Sequence, residues 1–252
     1  MSLFSLSGRT ALVTGASSGL GVQFVRALVR TGARVVAGAR RFDRLQILAD
    51  ELGQDWVLPV QLDVTDESSV RAFVHEATVW TGRLDVLVNN AGVTHAKAAE
   101  TESTEDLRRI LDVNLVGLFT CSREAGRIML RCGGGSIVNI ASALGLVASG
   151  RIPQGSYCAS KGGVVQLTRE MAAQWARKGV RVNAIAPGFF LTELTSEMFE
   201  DPRSEKYIER TVPMARCGAS HELDGALMFL ASDASSYVTG QILAVDGGWT
   251  SI

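Results

Sequence analysis

The chain contains few cysteines and histidines, and neither residue type is arranged as a disulfide or metal site. Its 252 residues include four cysteines, none of which form a C-x-x-C pair. The three histidines are far apart and match no metal-ligand spacing. A chain of this length can stabilise its core without disulfides. We therefore predict reduced thiols and no catalytic metal.

The sequence also lacks a long hydrophobic run and a surplus of charge of one sign. No apolar run approaches the roughly 18 residues that a membrane-spanning helix needs, and the first residues lack the basic and then apolar order of a secretory signal. Lysine and arginine number 25, against 26 for aspartate and glutamate. A nucleic-acid-binding chain usually carries a basic surplus. We therefore expect a soluble cytoplasmic protein without membrane or nucleic-acid partners.

Seven short apolar segments alternate with helical patterns along the chain. Such alternation is typical of an α/β fold in which helices cover both faces of a parallel sheet. No linker-like stretch divides the chain, so we predict a single domain over residues 1–252 with a doubly wound, parallel seven-stranded sheet. The predicted strands are residues 10–13, 33–39, 56–62, 84–88, 136–140, 180–186 and 241–245.

A glycine-rich turn follows the first predicted strand and precedes a helical pattern. It reads Thr14-Gly15-Ala16-Ser17-Ser18-Gly19-Leu20-Gly21, with the spacing G-x-x-x-G-x-G. Glycines lack the Cβ atoms that would keep a pyrophosphate away from the backbone, and a helix N-terminus offers unpaired N–H groups. The turn could be no more than a tight connection, but its strand and helix flanks favour a dinucleotide site.

Two arginines, Arg40 and Arg41, follow the second predicted strand. In dinucleotide-binding folds, an acidic residue at this point favours the free 2′-hydroxyl of the adenosine ribose, whereas arginine favours a 2′-phosphate. No carboxylate precedes Asp43 here. The pattern favours NADP(H), with NAD(H) as the alternative. If the two arginines bind no phosphate, they are simply solvent-exposed charges of a loop.

Tyr157 and Lys161 are four residues apart, so on a helix their side chains lie on one face. At roughly 5 Å and an effective dielectric of about 20, an ammonium stabilises a phenolate by about 3 kcal/mol. This corresponds to a tyrosine pKa lowered by about two units. Alone, the spacing could be an accident of a surface helix; together with a nucleotide site it predicts a general acid/base.

Polar or glycine residues follow the C-terminal ends of six of the predicted strands, at the sheet edge where open α/β folds bind ligands. The residues are Gly15, Arg40, Asp63, Asn89, Ser142 and Gly188. Asn114 lies inside a predicted helical segment, residues 104–129, where asparagine is a poor choice by propensity. Either Asn114 has a polar task, or it is a core amide with its hydrogen bonds satisfied.

Over essentially its whole length the chain resembles the short-chain dehydrogenases/reductases, a family of Rossmann-like, single-domain enzymes. The resemblance rests on motifs that occur in the family's order: Thr14-Gly15-x3-Gly19-x-Gly21, Asn89-Asn90-Ala91-Gly92, Asn114, Ser142, Tyr157-x3-Lys161, and Pro187-Gly188 with Thr192 downstream. It implies hydride transfer between the nicotinamide C4 and a carbonyl or alcohol carbon. The spacings of nucleotide-sugar epimerases and of bacterial enoyl reductases are not present.

The resemblance also implies roles for four catalytic residues. Tyr157 would exchange a proton with the substrate oxygen, which Ser142 would hold by a hydrogen bond. Lys161 would lower the phenol pKa and hold the nicotinamide ribose, and Asn114 would anchor a water that connects Lys161 to solvent. The implied cofactor-binding residues are Gly15, Ser17, Ser18, Gly19, Leu20, Gly21, Arg40, Arg41, Asp63, Val64, Asn90, Ala91, Gly92, Tyr157, Lys161, Pro187, Gly188, Phe190 and Thr192.

These features predict an NADP(H)-dependent oxidoreductase that reduces a ketone or 3-oxo group to a secondary alcohol. The alternatives are an NAD-dependent alcohol, sugar or steroid dehydrogenase and, more remotely, a non-catalytic NADP-binding regulator. We predict a substrate lid at about residues 189–212, although this stretch could be an ordinary surface excursion. It includes Leu194, Met198 and Phe199. The resemblance further implies a homotetramer.

Two departures from the family's pattern affect these expectations. Ser17 and Ser18 stand where NADP-preferring relatives often carry a basic residue, so the cofactor preference depends on Arg40 and Arg41. The segment between Ser142 and Tyr157 is longer than in the acyl-carrier-protein reductases. Because that segment borders the predicted substrate pocket, the substrate need not be theirs.

Overall fold

Seven parallel strands form one sheet in the order β3-β2-β1-β4-β5-β6-β7 in a computed structural model that describes residues 3–193, 195 and 202–251. The strands are β1 (Thr10–Thr14), β2 (Arg34–Ala39), β3 (Val57–Gln61), β4 (Val86–Asn89), β5 (Gly135–Ile140), β6 (Val180–Pro187) and β7 (Ile242–Val245). The predicted strands are confirmed to within two residues at each end. From β1 the sheet extends through β2 to β3 on one side and through β4 to β7 on the other, so β1 pairs with both β2 and β4.

Eight α-helices of the described residues connect the strands. They are α1 (Gly19–Arg30), α2 (Phe42–Leu52), α3 (Glu67–Thr81), α4 (Thr104–Leu111), α5 (Leu118–Cys132), α6 (Gly155–Trp175), α7 (Pro202–Thr211) and α8 (Asp224–Ala231). At the start of α3, the carboxylate of Asp66 caps the helix by accepting a hydrogen bond from the Ser68 N–H.

Two hydrophobic layers cover the two faces of the sheet. On one face, Phe24 of α1 and Leu227 of α8 belong to a buried cluster with the strands. On the other face, Phe73 of α3, Met129 of α5 and Met171 of α6 form a second one. Strands β1 and β4 are buried along their whole length, which explains why their residues are mostly hydrophobic. The predicted doubly wound α/β fold is confirmed.

The predicted helical segment 104–129 is helical along its length, but its middle, Asp112–Gly117, is a π-helix between α4 and α5. Gly117 packs so closely on the chain after β3 that a Cβ there would lie 2.9 Å from the Val64 carbonyl oxygen. The wider π turn breaks the regular α-helical hydrogen-bond ladder at the level of Asn114. Such insertions occur frequently at functional sites.

Only part of the predicted lid, residues 189–212, is described: residues 189–193, Thr195 and α7. Leu194, Met198 and Phe199 lie outside the described residues. Ile208 of α7 and Val212 after it are buried against Ala143 and Trp249. The described part of this segment therefore packs beside the chain that directly follows Ser142. Among the described helices, none has the length and hydrophobicity needed to cross a membrane.

Candidate active site

A cleft of about 870 Å³ runs along the carboxyl ends of the strands. It extends from Arg40 and Arg41 at one end to Tyr157 and Lys161 at the other. All the predicted catalytic and cofactor-binding residues line this cleft except Gly21 and Asn114, which lie behind its wall. Asn89, which we also placed at this edge of the sheet, does not line the cleft either, because its side chain is buried and donates hydrogen bonds to Ser122 and Asn139. The structure thus brings together side chains that are up to 177 positions apart in sequence, from Gly15 to Thr192.

The glycine-rich turn has a shape that only glycines allow. Gly15 and Gly19 have positive φ angles of 67° and 54°. Gly21 supports the turn from behind, because a Cβ on it would lie 2.1 Å from the Gly15 carbonyl oxygen. Asn90 holds the turn against β4: its side-chain Nδ2 donates to the carbonyls of Thr14 and Gly15 at 3.0 and 3.1 Å.

The same turn fits the pyrophosphate of a dinucleotide. Within the described residues, the side chain of Ser18 at the N-cap of α1 makes no capping hydrogen bond. The first N–H groups of α1 are therefore available to a phosphate, and the helix dipole favours an anion there. With no Cβ at Gly15 or Gly19, the backbone can be approached closely. These features agree with the predicted nucleotide site.

Arg41 at the adenosine end of the cleft is held by a carboxylate that the sequence analysis missed. Its guanidinium donates two hydrogen bonds to Glu193, of 2.9 and 2.8 Å, and others to Ser18 at 2.7 Å and Ser17 at 3.3 Å. Arg44 adds a 3.2 Å contact to Glu193. These bonds, led by that of Arg41, lower the pKa of Glu193 to about 2, although the carboxylate is exposed. Glu193 is therefore ionised.

Asp63, after β3, is also held as a carboxylate. It accepts hydrogen bonds from the backbone N–H of Thr65 at 2.9 Å and from its hydroxyl at 2.7 Å. These bonds, the backbone one first, lower the pKa of Asp63. The charge of Arg40 acts in the same direction. Asp63 therefore places a negative charge, fixed by these hydrogen bonds, at the wall of the cleft.

Tyr157 and Lys161 lie one turn apart on α6, as the spacing predicted. The Lys161 ammonium is buried, and it donates a 2.7 Å hydrogen bond to the carbonyl of Ile140 at the end of β5. Its nitrogen lies 5.7 Å from the centre of the Tyr157 ring. Burial lowers the pKa of Lys161 to about 8. The lysine therefore loses its proton more easily here than in water.

The pKa of Tyr157 shifts in the direction opposite to our expectation. Burial of the phenol raises it, and the side-chain hydrogen bond with Ser142 acts the other way but does not outweigh burial. The expected lowering assumed an ammonium beside a solvated phenol, whereas Lys161 lies over the ring and bonds to Ile140. In this environment desolvation is the larger effect, so the phenol is held protonated.

Asn114 is fully buried, and its amide fastens the π-helix to the chain after β4. Its Oδ1 accepts from the Val93 N–H at 2.8 Å, and its Nδ2 donates to the Val93 carbonyl at 2.9 Å. Nδ2 also donates to Ser160 Oγ at 3.0 Å, and Ser160 Oγ donates to the Tyr157 carbonyl at 2.7 Å. Ser160, which sequence reasoning missed, therefore links Asn114 to the backbone of Tyr157.

Ser142 follows β5 and begins a short 3-10 helix, Ala143–Gly145, where its Oγ accepts from the Leu144 N–H at 3.1 Å. Its side chain is almost completely buried, and it lines the cleft beside Tyr157. The 3-10 turn thereby fixes the direction of the hydroxyl. The Ser142 hydroxyl is therefore placed to donate a hydrogen bond to an oxygen that also contacts the Tyr157 phenol.

An aromatic cluster that the sequence did not reveal lies beside this end of the cleft. The ring of Phe189 is 4.5 Å from that of Trp249 and 6.1 Å from that of Tyr207, measured between ring centres. Arg151, in the segment between Ser142 and Tyr157, lies 5.4 Å from the centre of the Tyr207 ring. The cluster therefore connects that segment to α7.

Comparison with known proteins agrees with this geometry. A family model described as Enoyl-(Acyl carrier protein) reductase matches residues 15–250. Galactitol 2-dehydrogenase (L-tagatose-forming) of Cereibacter sphaeroides is 44% identical over 249 residues, which cover 98% of this chain and 97% of that protein. The 3-oxoacyl-[acyl-carrier-protein] reductase FabG of Thermotoga maritima is 38% identical, with 96% and 98% of the two chains covered.

A solved structure shares the whole fold. The crystal structure of a gluconate 5-dehydrogenase from Burkholderia cenocepacia in complex with NADP and tartrate superposes with a TM-score of 0.95. It is 37% identical, and the match covers 99% of this chain and 98% of that one. The family match, the relatives and the structural superposition agree over nearly the full length. The chain belongs to the short-chain dehydrogenase/reductase family of oxidoreductases.

Proposed function

We propose that the protein is an NADP(H)-dependent oxidoreductase that reduces a ketone or 3-oxo group to a secondary alcohol. The observation that carries this proposal is the single cleft that joins Tyr157, Lys161 and Ser142 to Arg40 and Arg41. One end of the cleft offers a proton donor and a hydroxyl for a carbonyl oxygen. The other end offers cations for a phosphate.

In this proposal a bound nicotinamide cofactor supplies the hydride. Tyr157 gives its proton to the substrate oxygen, and burial keeps that proton on the phenol until the oxygen becomes more basic. Ser142 donates a hydrogen bond to the same oxygen, from a position fixed by its own turn. Lys161, whose pKa is about 8, restores the proton of Tyr157. Asn114 and Ser160 are positioning residues behind this pair.

The cofactor preference is supported by charge at the end of β2. Arg40 is exposed there, lines the cleft and makes no hydrogen bond to the described residues, while Arg41 lies across Ser17 and Ser18. A 2′-phosphate carries about two negative charges and suits the planar, multi-donor guanidinium groups. The similar gluconate 5-dehydrogenase from Burkholderia cenocepacia was crystallised with NADP, which agrees with this preference.

The second candidate is oxidation of a polyol or sugar alcohol by the same residues. It is favoured by the similarity to galactitol 2-dehydrogenase, at 44% identity. In that direction Tyr157 accepts the hydroxyl proton that it would otherwise donate. The catalytic set is the same, so the two candidates differ in substrate and direction and not in mechanism.

Assembly as a homotetramer is a further part of the proposal. Large apolar side chains are exposed on two of the elements that the family uses for contacts between subunits. Val116 and Phe119, on the helical segment that includes α5, are 51% and 40% exposed, and Leu243 of β7 is 37% exposed. We place the enzyme in the cytoplasm, in agreement with its four unpaired cysteines.

The test measures cofactor consumption by the purified protein. NADPH and NADH are each combined with a panel of ketones and 3-oxo thioesters, and NADP⁺ and NAD⁺ with polyols and sugar alcohols. We expect turnover that is faster with the phosphorylated cofactor and that falls by at least about a hundredfold in Tyr157→Phe, because the proton donor is lost. Undiminished turnover in that variant would refute the proposed chemistry.

A further inference from the structure

The carboxylate of Glu193 occupies the adenosine end of the cofactor cleft. It belongs to the chain that follows β6, yet it makes a two-point contact with Arg41 after β2. Its neighbour Thr192 lies over the glycine-rich turn, since a Cβ on Gly19 would be 3.3 Å from the Thr192 Cβ. The Thr192-Glu193 pair therefore crosses the mouth of the cleft above the turn.

The groups that hold Glu193 are those that suit a phosphate. Arg41 presents two N–H donors to it, Arg44 presents a third, and a side-chain hydrogen bond joins it to Ser18. A guanidinium pair and a hydroxyl at the end of the second strand also form the recognition set expected for the 2′-phosphate of an adenosine ribose. Arg41 gives two of its five N–H donors to Glu193, one to Ser18 and one to Ser17, so a phosphate that makes a two-point contact with Arg41 must displace at least one of these acceptors.

We propose that Glu193 is a specificity-determining residue that competes with the 2′-phosphate of NADP(H) for Arg41 and Ser18. The proposal rests on the NADP(H) use proposed above and deepens it. A cofactor without the phosphate leaves the Arg41–Glu193 pair intact. A cofactor with the phosphate displaces the Glu193 carboxylate and also brings its own charge close to it, so part of the attraction of Arg41 is lost.

The expected change in phosphate affinity depends on how far the Arg41–Glu193 pair is exposed to solvent. The side chains of Arg41 and Glu193 are 42% and 49% exposed, so water and salt screen the pair. An exposed but bidentate pair contributes little, which corresponds to about two- to fivefold in an equilibrium constant. Removing the carboxylate should therefore strengthen binding of a 2′-phosphate by about that factor, and less at high salt.

The test is equilibrium binding by titration calorimetry, with 2′,5′-ADP and 5′-AMP as probes that differ in the 2′-phosphate. We expect Glu193→Gln to bind 2′,5′-ADP about two- to fivefold more tightly than the unmodified protein and to bind 5′-AMP equally well. The gain should disappear in the Arg41→Ala background, as in a double-mutant cycle. Unchanged or weaker binding of 2′,5′-ADP, or an equal gain for 5′-AMP, would overturn the proposal.

Asp43→Asn is the matched control. Asp43 is an exposed acid on α2 that acts on Arg41 only through its charge, so its removal changes the net charge equally without freeing the guanidinium donors. Its effect on 2′,5′-ADP should be clearly smaller than that of Glu193→Gln; an equal effect would overturn the proposal. Thermal unfolding of each variant verifies that it is folded.

These measurements distinguish a failure of the proposed competition from a failure of the proposed NADP(H) preference. If the unmodified protein prefers NADH and Glu193→Gln gains affinity for 2′,5′-ADP, the competition is real and the proposed NADP(H) preference is wrong. If the unmodified protein prefers NADPH and the variant gains nothing, the preference stands and the competition is refuted.

Discussion

The Lys161 ammonium nitrogen lies 5.7 Å from the centre of the Tyr157 ring and donates its hydrogen bond to the carbonyl of Ile140. Burial shifts both pKa values toward the neutral form: upward from 10.0 for the phenol and downward from 10.5 to about 8 for the ammonium. The two reference pKa values are nearly equal, whereas in the protein the ammonium is clearly the stronger acid. This order favours proton transfer from the Lys161 ammonium to a Tyr157 phenolate.

The first prediction concerns the stability cost of burying Lys161. Its pKa is about 8 in the folded protein and 10.5 as the reference for the unfolded chain, so at neutral pH the folded state holds a charge that burial disfavours. Lys161→Met should raise the free energy of unfolding at about pH 7 by about 1–3 kcal/mol, reduced by the lost bond to Ile140. Urea unfolding of the two proteins measures the difference.

The lowered pKa of Lys161 also makes the stability of the protein depend on pH. Between pH 8 and 10.5 the unfolded chain binds more protons than the folded one, so the unmodified protein gains stability as pH rises through that window. The advantage of Lys161→Met should therefore shrink as pH rises above 8. The exposed Lys178 is the control, since Lys178→Met should show no such trend. An advantage that grows with pH would contradict the assigned direction.

The second prediction concerns Ser160 as a positioning residue. Ser160→Ala removes the acceptor of one Asn114 Nδ2 hydrogen bond in a fully buried site. We expect a loss of about 1–3 kcal/mol in the free energy of unfolding, and a fall in kcat with little change in KM, because the backbone of Tyr157 loses its link to Asn114.

Ser122→Ala separates this role from general destabilisation. Ser122 is equally buried and accepts a 2.8 Å hydrogen bond from Asn89 Nδ2, but it does not line the cleft. Its loss should cost similar stability and leave kcat close to that of the unmodified protein. If Ser160→Ala and Ser122→Ala lower kcat equally, Ser160 has only a structural role.

The local parts of the site could be predicted from the sequence, and the non-local ones could not. The glycine-rich turn and the Tyr157–Lys161 spacing depend on residues close in sequence, where glycine conformation and helix periodicity decide the outcome. Glu193 meets Arg41 across 152 positions, and no periodicity reports such a contact. The sequence correctly showed that no carboxylate directly follows β2, but the fold places Glu193, from the chain that follows β6, beside Arg41.

Burial also limits what the sequence reveals. The spacing of Tyr157 and Lys161 correctly predicted their shared helix face, yet the sign of the tyrosine pKa shift depends on how much water reaches the phenol. The π-helix at Asp112–Gly117 was missed for a related reason. Its last residue, Gly117, approaches Val64 closely, and local propensity does not encode such a tertiary contact.

The third prediction tests Arg40 as a reader of the 2′-phosphate. Arg40→Ala should raise KM for NADPH by about tenfold or more, as expected for the loss of a hydrogen bond between charged groups, and should change KM for NADH much less. Steady-state kinetics with each cofactor measures the two values. The control is Arg34→Ala, because Arg34 is an exposed arginine at the opposite end of β2 and does not line the cleft. Equal effects of Arg40→Ala on both cofactors would show that Arg40 does not read the phosphate.

The last prediction concerns Gly21, which lies behind the glycine-rich turn. In Gly21→Ala the new Cβ would meet the Gly15 carbonyl oxygen at 2.1 Å, a backbone atom that cannot move without deforming the turn. We expect a cofactor affinity at least about tenfold weaker and a loss of about 1–3 kcal/mol in unfolding free energy. Gly225→Ala in α8 is the matched control, because its Cβ would meet nothing within 4 Å and alanine favours a helix. Since Gly225→Ala should keep or slightly raise stability and leave binding unchanged, a similar result for Gly21→Ala would mean that the turn tolerates a side chain and that its glycine is not required.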